Sequence, residues 1–375
     1  LPTSVFLSSS LMTGRPFLRV QSVLPSGEAH VCPLLLPLSI LWIRLPAVSD
    51  NLDECLEVLV KGFDRVIAAI PVPPVAISFA FPGPADYENG IIGDLPNFPS
   101  FRGGVALGPF LKHKYGIPVF IENDGNLFAY GEALSGALPM INRELSLAGC
   151  SREYKNLIGI TLGTGFGAGV VINKVLLTGD NGCGGDIWLM RNKKYPDMLA
   201  EESVSIRAVR RVYSDLSGQS SASLSPKDIY DIAEGIKEGD SHAAIASFNE
   251  LGIMAGAAIA SVLNVVDGLV VIGGGVAGAS KYILPALITE LRAQLTTFSG
   301  NKFPCVSMQV YNGEDESERA RFLSLSDSQV VIPGTHLTTT YHQLKQTLVL
   351  CSKEGASRSI MRGAYAYALQ KIDLT

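Results

Sequence analysis

The stretch 117-IPVFIENDGN-126 decides how the chain reads. Ile117 to Ile121 is an apolar run of strand length, and Asn126 to Leu138 has the pattern of a helix. Glu122, Asn123 and Asp124 therefore fall where a buried strand hands over to a helix. Two readings are open for Asp124 there: a helix N-cap, or a carboxylate presented at a domain edge for chemistry. Its company favours the second. About 40 residues on, 157-LIGITLGTGFG-167 runs from a strand into a glycine turn, and about 110 residues further 269-LVVIGGGV-276 does so again, opening towards a helix. A third turn, 82-PGP-84, follows the short strand Val75 to Ala80. Turns without Cβ atoms let backbone N–H groups approach phosphate oxygens, although each alone is also an ordinary tight turn.

Working outward, apolar residues at helical spacing predict a helix over Asn51 to Ile70, capped by Ser49 or Asp50 and stopped by Pro71, Pro73 and Pro74. Further helices are predicted over 107–114, 201–213, 226–234, 241–263, 282–295 and 357–372. The 241–263 helix carries Gly252 and Gly256, which permit close packing. Residues 167–177 read as a hairpin turning at Asn173-Lys174. Residues 303–350 read mostly as strand and loop, with Glu314 to Glu318 as a solvated acidic loop. Residues 1–43 show little period of either kind. Strands alternating with helices imply α/β layers.

The chain has 375 residues, too many for one ordinary core, so two domains are expected. Its formal net charge is -5 with no block of Lys or Arg, which argues against nucleic acid as a partner. Six scattered cysteines with no CxxC pair argue against a disulfide framework and for a cytoplasmic protein. The apolar run Cys32 to Val48 contains three prolines and Arg44, so neither a membrane span nor a signal peptide is expected there.

The order strand–NDxN–helix, strand–GTGxG–hairpin, strand–GGG–helix resembles the ROK family of sugar kinases and related repressors, from about Val75 to Ala279 with a weaker tail at Gly355–Ala366. The resemblance implies an α/β, two-lobed, actin-like ATPase (ribonuclease H-like) sugar-kinase fold with an interlobe cleft. The expected lobes are 1–123, with the C-terminal helix 355–375 packing on it, and 124–354. The resemblance further implies Asp124 as catalytic base, Asn123 and Asn97 as sugar contacts, and Gly163, Thr164, Gly165, Gly273, Gly274 and Gly275 as nucleotide-binding residues. ATP and Mg²⁺ are the implied cofactors, a small-molecule sugar the substrate, and a homodimer the assembly expected by analogy.

Two departures from the family pattern matter. Where the family shows GEIGH and a cysteine cluster, this chain has Gly185-Asp186-Ile187-Trp188-Leu189-Met190. Asp186 stands at the sugar-binding Glu, Leu189 replaces the His, and no cysteine lies between Cys183 and Cys305. No structural zinc is therefore expected. Trp188 either stacks on a sugar or fills the core. Glu202 is a further candidate sugar contact, and with Glu201 it is expected to open a helix. The second departure is the family's initial DxGGT turn: the first Asp is Asp50, and only 11-LMTGR-15 sits near the expected place. A coding-frame difference upstream of Leu45 and a loss of the phosphate motif both account for this. Three functions are accordingly in view: an ATP-dependent kinase of a hexose or N-acetylhexosamine, a catalytically impaired sugar-binding protein of the same fold, and a regulator. Residues 1–50 offer no helix-turn-helix for the last.

Overall fold

The computed structural model describes residues 5–10, 17–23, 38–41, 50–70, 73–94, 99–324 and 328–373. They fall into two units, Leu1–Gly136 with Gly169–Gly185 and Glu354–Thr375, and Ala137–Ala168 with Asp186–Lys353. Residues 124–136 thus group with the first unit.

In the first unit, strands β1 (Val5–Ser10), β2 (Phe17–Val23) and β3 (Leu38–Leu41) precede helix α1 (Leu52–Ala69) and strand β4 (Ile77–Ala80). Three strands thus occupy a region where the sequence shows no clear period. After β4 come the short strands β5 (Ala85–Asp86) and β6 (Ile91–Ile92), helix α2 (Leu107–Tyr115), strand β7 (Val119–Glu122) and helix α3 (Asp124–Ser135). The main sheet has the order β3-β2-β1-β4-β7, antiparallel from β3 to β1 and parallel from β1 to β7. Helix α1 forms because Leu59, Phe63 and Val66 recur on one face and are buried together, while Asn51, not Ser49 or Asp50, caps it by accepting from Glu54 N at 3.2 Å. Phe63 meets Phe79 of β4 edge-on at 5.5 Å between centroids, in a core that also holds Leu111 and Ile121.

The second unit begins with helix α4 (Ala137–Leu147) and strand β8 (Leu157–Leu162). Strand β9 (Phe166–Ile172) follows and runs into the segment Gly169–Gly185 that belongs to the first unit, where β10 (Val175–Leu176) pairs antiparallel with its far end across Asn173 and Lys174, both at positive φ, as the predicted hairpin requires. Helices α5 (Ile206–Ser217), α6 (Pro226–Ala233) and α7 (Ser241–Val266) lead to strand β11 (Leu269–Gly273) and helix α8 (Ser280–Leu291). The remainder comprises β12 (Gln294–Thr296), β13 (Lys302–Pro304), β14 (Gln309–Asn312), α9 (Glu316–Leu323), β15 (Ser328–Val331), β16 (Thr338–Tyr341) and β17 (Gln346–Cys351), before the C-terminal helix α10 (Ala356–Asp373). The second large sheet has the order β10-β9-β8-β11-β17-β14, with β8, β11, β17 and β14 parallel. An antiparallel hairpin feeding parallel strands is the pattern of the first sheet repeated.

Helix α7 is long and apolar enough to cross a membrane by composition, but most of that window is buried. Gly252 and Gly256 bring it against α8, where a Cβ on Gly252 would strike the Ile283 carbonyl. The acidic run is not a solvated loop. Asp315 caps α9 by accepting from Glu318 N at 2.9 Å, and Glu314 pairs with Lys353 at 2.6 Å. Caps and ion pairs to residues distant in sequence leave no local period, which is why this helix escapes a reading by pattern.

Candidate active site

In the first unit the Asn123–Asp124 pair sits where β7 ends and α3 starts. The helix begins at Asp124, two residues earlier than predicted, because Asn123 is its N-cap: Asn123 Oδ1 accepts from Gly125 N at 2.8 Å. The cap reading for Asp124 is thereby excluded, and its carboxylate is left for other use. Asp124 Oδ1 also accepts from Gly125 N, at 2.9 Å, which fixes the side chain's orientation. Burial pushes the Asp124 carboxyl above the usual carboxylate range, against the pull of the backbone N–H. A carboxylate raised this way is a better proton acceptor near neutral pH than a free one.

Tyr87 was not apparent from sequence. Its hydroxyl donates to Phe81 O at 3.0 Å and lies 3.5 Å from Asn123 Nδ2, so it braces the Asn123 amide from the 82-PGP-84 side. Behind the pair, Glu122 is buried to 2% exposure. Its Oε1 accepts from Asn123 N at 2.8 Å and Asn126 Nδ2 at 3.1 Å.

In the second unit the two glycine turns meet. Gly273 pairs with Thr161 across β11 and β8, and Gly274 then turns at φ +94°. A Cβ on Gly274 would lie 2.7 Å from Leu162 N and would strike the Leu162 carbonyl, so only glycine fits. Gly163 follows Leu162 directly, which sets Gly163-Thr164-Gly165 beside Gly273-Gly274-Gly275 at the carboxyl ends of neighbouring parallel strands. Ligands of open α/β sheets bind at that edge. The Thr164 and Gly165 N–H groups enter no hydrogen bond among the described residues, and Thr164 and Gly275 are exposed. Such backbone groups suit phosphate oxygens.

Of the Glu201–Glu202 pair, Glu201 is the one at this turn: its Oε2 accepts from Phe166 N at 3.0 Å. The pair lies in a short 3₁₀ turn, Ala200–Glu202, and not at the head of α5, whose cap is Ser205. Glu202 is exposed and pairs with Arg207 at 3.3 Å, and Arg207 also reaches Glu201 at 3.2 Å. Two adjacent acids before a helical pattern look like its first turn, and only the Ser205 cap places them outside it. Asp186 is exposed at the head of the 3₁₀ turn Ile187–Leu189, with Trp188 partly buried beside it. Asn97 and the stretch 11–15 lie outside the described residues. Cys183 is exposed. Among the described residues, no group of three His, Cys, Asp or Glu side chains is gathered to hold a metal ion.

The repeated strand order and the paired glycine turns define a protein of the actin-like ATPase sugar-kinase class. A family model, the ROK family, matches residues 46–317. The chain belongs to the ROK family. It is 29% identical over 256 residues to a glucokinase of Thermotoga maritima, covering 64% of this chain and 75% of that one. It is also similar to the crystal structure of a glucokinase from Parabacteroides distasonis, with 51% identity, 98% of each chain covered and a TM-score of 0.84. A ROK family glucokinase from Streptomyces griseus, solved in complex with glucose and AMPPNP, shares the fold with a TM-score of 0.59 at 18% identity, covering 97% of this chain and 98% of that one.

Proposed function

We propose that the protein phosphorylates a hexose or an N-acetylhexosamine with ATP, using Asp124 as general base. The observation that carries this reading is the Asp124 carboxylate: free of capping duty, held by Gly125 N, and raised by burial. A sugar hydroxyl has a pKa far above 7, so a carboxylate must take its proton as the new P–O bond forms. Asn123 offers its amide to the sugar, and Asn97, Asp186 and Glu202 are the further sugar contacts in this reading. The Gly163–Gly165 and Gly273–Gly275 turns receive the nucleotide, as their open N–H groups and contact along β8 and β11 suit. The glucokinases of Thermotoga and Parabacteroides support a hexose as acceptor, and the AMPPNP complex of the Streptomyces protein supports ATP as donor.

Magnesium is bound in kinases by one or two carboxylates together with substrate phosphates. The described residues assemble no cage of their own for it. The test is ADP release from ATP over a panel of glucose, mannose, N-acetylglucosamine and N-acetylmannosamine. Turnover with one or more of these, lost in Asp124→Asn, is the expected result. Sugar binding by calorimetry with no turnover on any of them would instead establish the non-catalytic reading.

A further inference from the structure

The geometry points to Glu122, the last residue of β7, as a positioning residue for Asp124; the inference rests on Asp124 being the base. Glu122 does not face the reaction. It lies behind the Asn123–Asp124 turn, and it grips that turn from both sides. One oxygen accepts from Asn123 N at 2.8 Å, ahead of Asp124, and from Asn126 Nδ2 at 3.1 Å, one step past Gly125. The residues between those grips include the Gly125 N–H that orients the Asp124 carboxylate.

Asn126 is arranged for this duty at a cost. Its Oδ1 is buried with no hydrogen-bond partner, so the side chain is kept for what its Nδ2 donates to Glu122. Two donors, from the backbone before Asp124 and the side chain after Gly125, thus converge on one oxygen and hold the Glu122 side chain in place.

Helix α10 is a firm anchor for α3. It crosses α3 at paired glycines, where a Cβ on Gly131 would strike the Ser359 carbonyl and one on Gly363 would strike the Leu127 carbonyl. Ser359 Oγ donates to the buried Glu132 at 2.5 Å at the same crossing. The helix that carries Asp124 is thus referenced to α10. Misplacing a reacting group by about 1 Å costs on the order of 100-fold in rate.

The test uses the full chain with sugar and ATP. Glu122→Ala is expected to lower kcat about 30-fold while the KM values for sugar and ATP stay within about threefold, a misplacement well inside the range above. Glu122→Gln, which keeps one acceptor, recovers part of the loss. Asn126→Ala, which removes one of the two donors to Glu122, lowers kcat less, in the same pattern, and serves where Glu122→Ala does not fold. In the Asp124→Asn background neither change lowers the residual rate further, because a misplaced base costs nothing once the base is gone. A full additional loss in that background overturns the proposal, as does a change in KM or melting temperature with kcat intact. Asp124→Asn measured alone separates the two ideas: undiminished turnover in that variant removes the base itself, whereas a dead Asp124→Asn beside a normal Glu122→Ala removes only the positioning role.

Discussion

At the residue scale, the division of labour between Asn123 and Asp124 decides what this protein can do. Asn123 satisfies the helix N-terminus, so Asp124 is spared, and burial raises its carboxyl. A carboxyl raised on folding supplies stability that is fully present below its unfolded pKa and is lost as pH rises through its folded pKa. At neutral pH the ionised group therefore costs stability. Asp124→Asn is expected to raise the melting temperature at pH 7 by about 2–4 °C. The gain should vanish below about pH 4, where the unfolded carboxyl is itself protonated. Calorimetric scans across that range check it; a lower melting temperature at pH 7 would show that the carboxylate is instead a structural partner. The same shift governs rate. The acid limb of kcat/KM should fall above the ordinary carboxylate range of about 4, since the free enzyme's base must be ionised. A profile flat from pH 7 down to the ordinary carboxylate value would contradict the raised pKa.

At the element scale, two glycine contacts hold site-bearing elements in register. Helix α3 rests on α10 at Gly131 and Gly363, where any side chain meets backbone rather than a movable group. Gly363→Ala is expected to cost about 1–3 kcal/mol, read from the denaturant midpoint, and to lower kcat because α3 carries Asp124. The turn after β11 is held by Gly274 against Leu162. Gly274→Ala should raise the KM for ATP more than that for sugar, which steady-state kinetics with each substrate varied would show. An effect on sugar alone would detach this turn from the nucleotide. These elements also show what pattern reading reaches. Strand β8 was legible to the residue, and α1, α6 and β11 within one or two, because their apolar periods are set locally. Helix α9 and the 3₁₀ turn at Glu201 were not, since their acids find partners distant in sequence: Glu314 pairs with Lys353, Glu318 with Arg292, and Glu201 accepts from Phe166 N. Tyr87 gave no signal at all, because only the fold brings it to Asn123.

At the scale of the whole molecule, the two sheets repeat one strand pattern, a hairpin edge followed by parallel strands, and each carries its part of the candidate site at a strand's carboxyl end. That repetition was legible only as three glycine or acid motifs in a given order, since the first three strands lie where the sequence has no clear period. The grouping of residues 124–136 with the first unit has a related cause: α3 belongs with α10, which lies more than two hundred residues away. The central claim is that the Asp124 carboxylate accepts the sugar's proton during transfer. Single-turnover transfer from radiolabelled ATP to the sugar that the substrate panel identifies, with sugar affinity measured by calorimetry, tests it most directly. Asp124→Asn should bind that sugar within about threefold of the unaltered protein and transfer phosphate about 10²–10⁴-fold more slowly. Transfer at an unaltered rate in that variant would contradict the account.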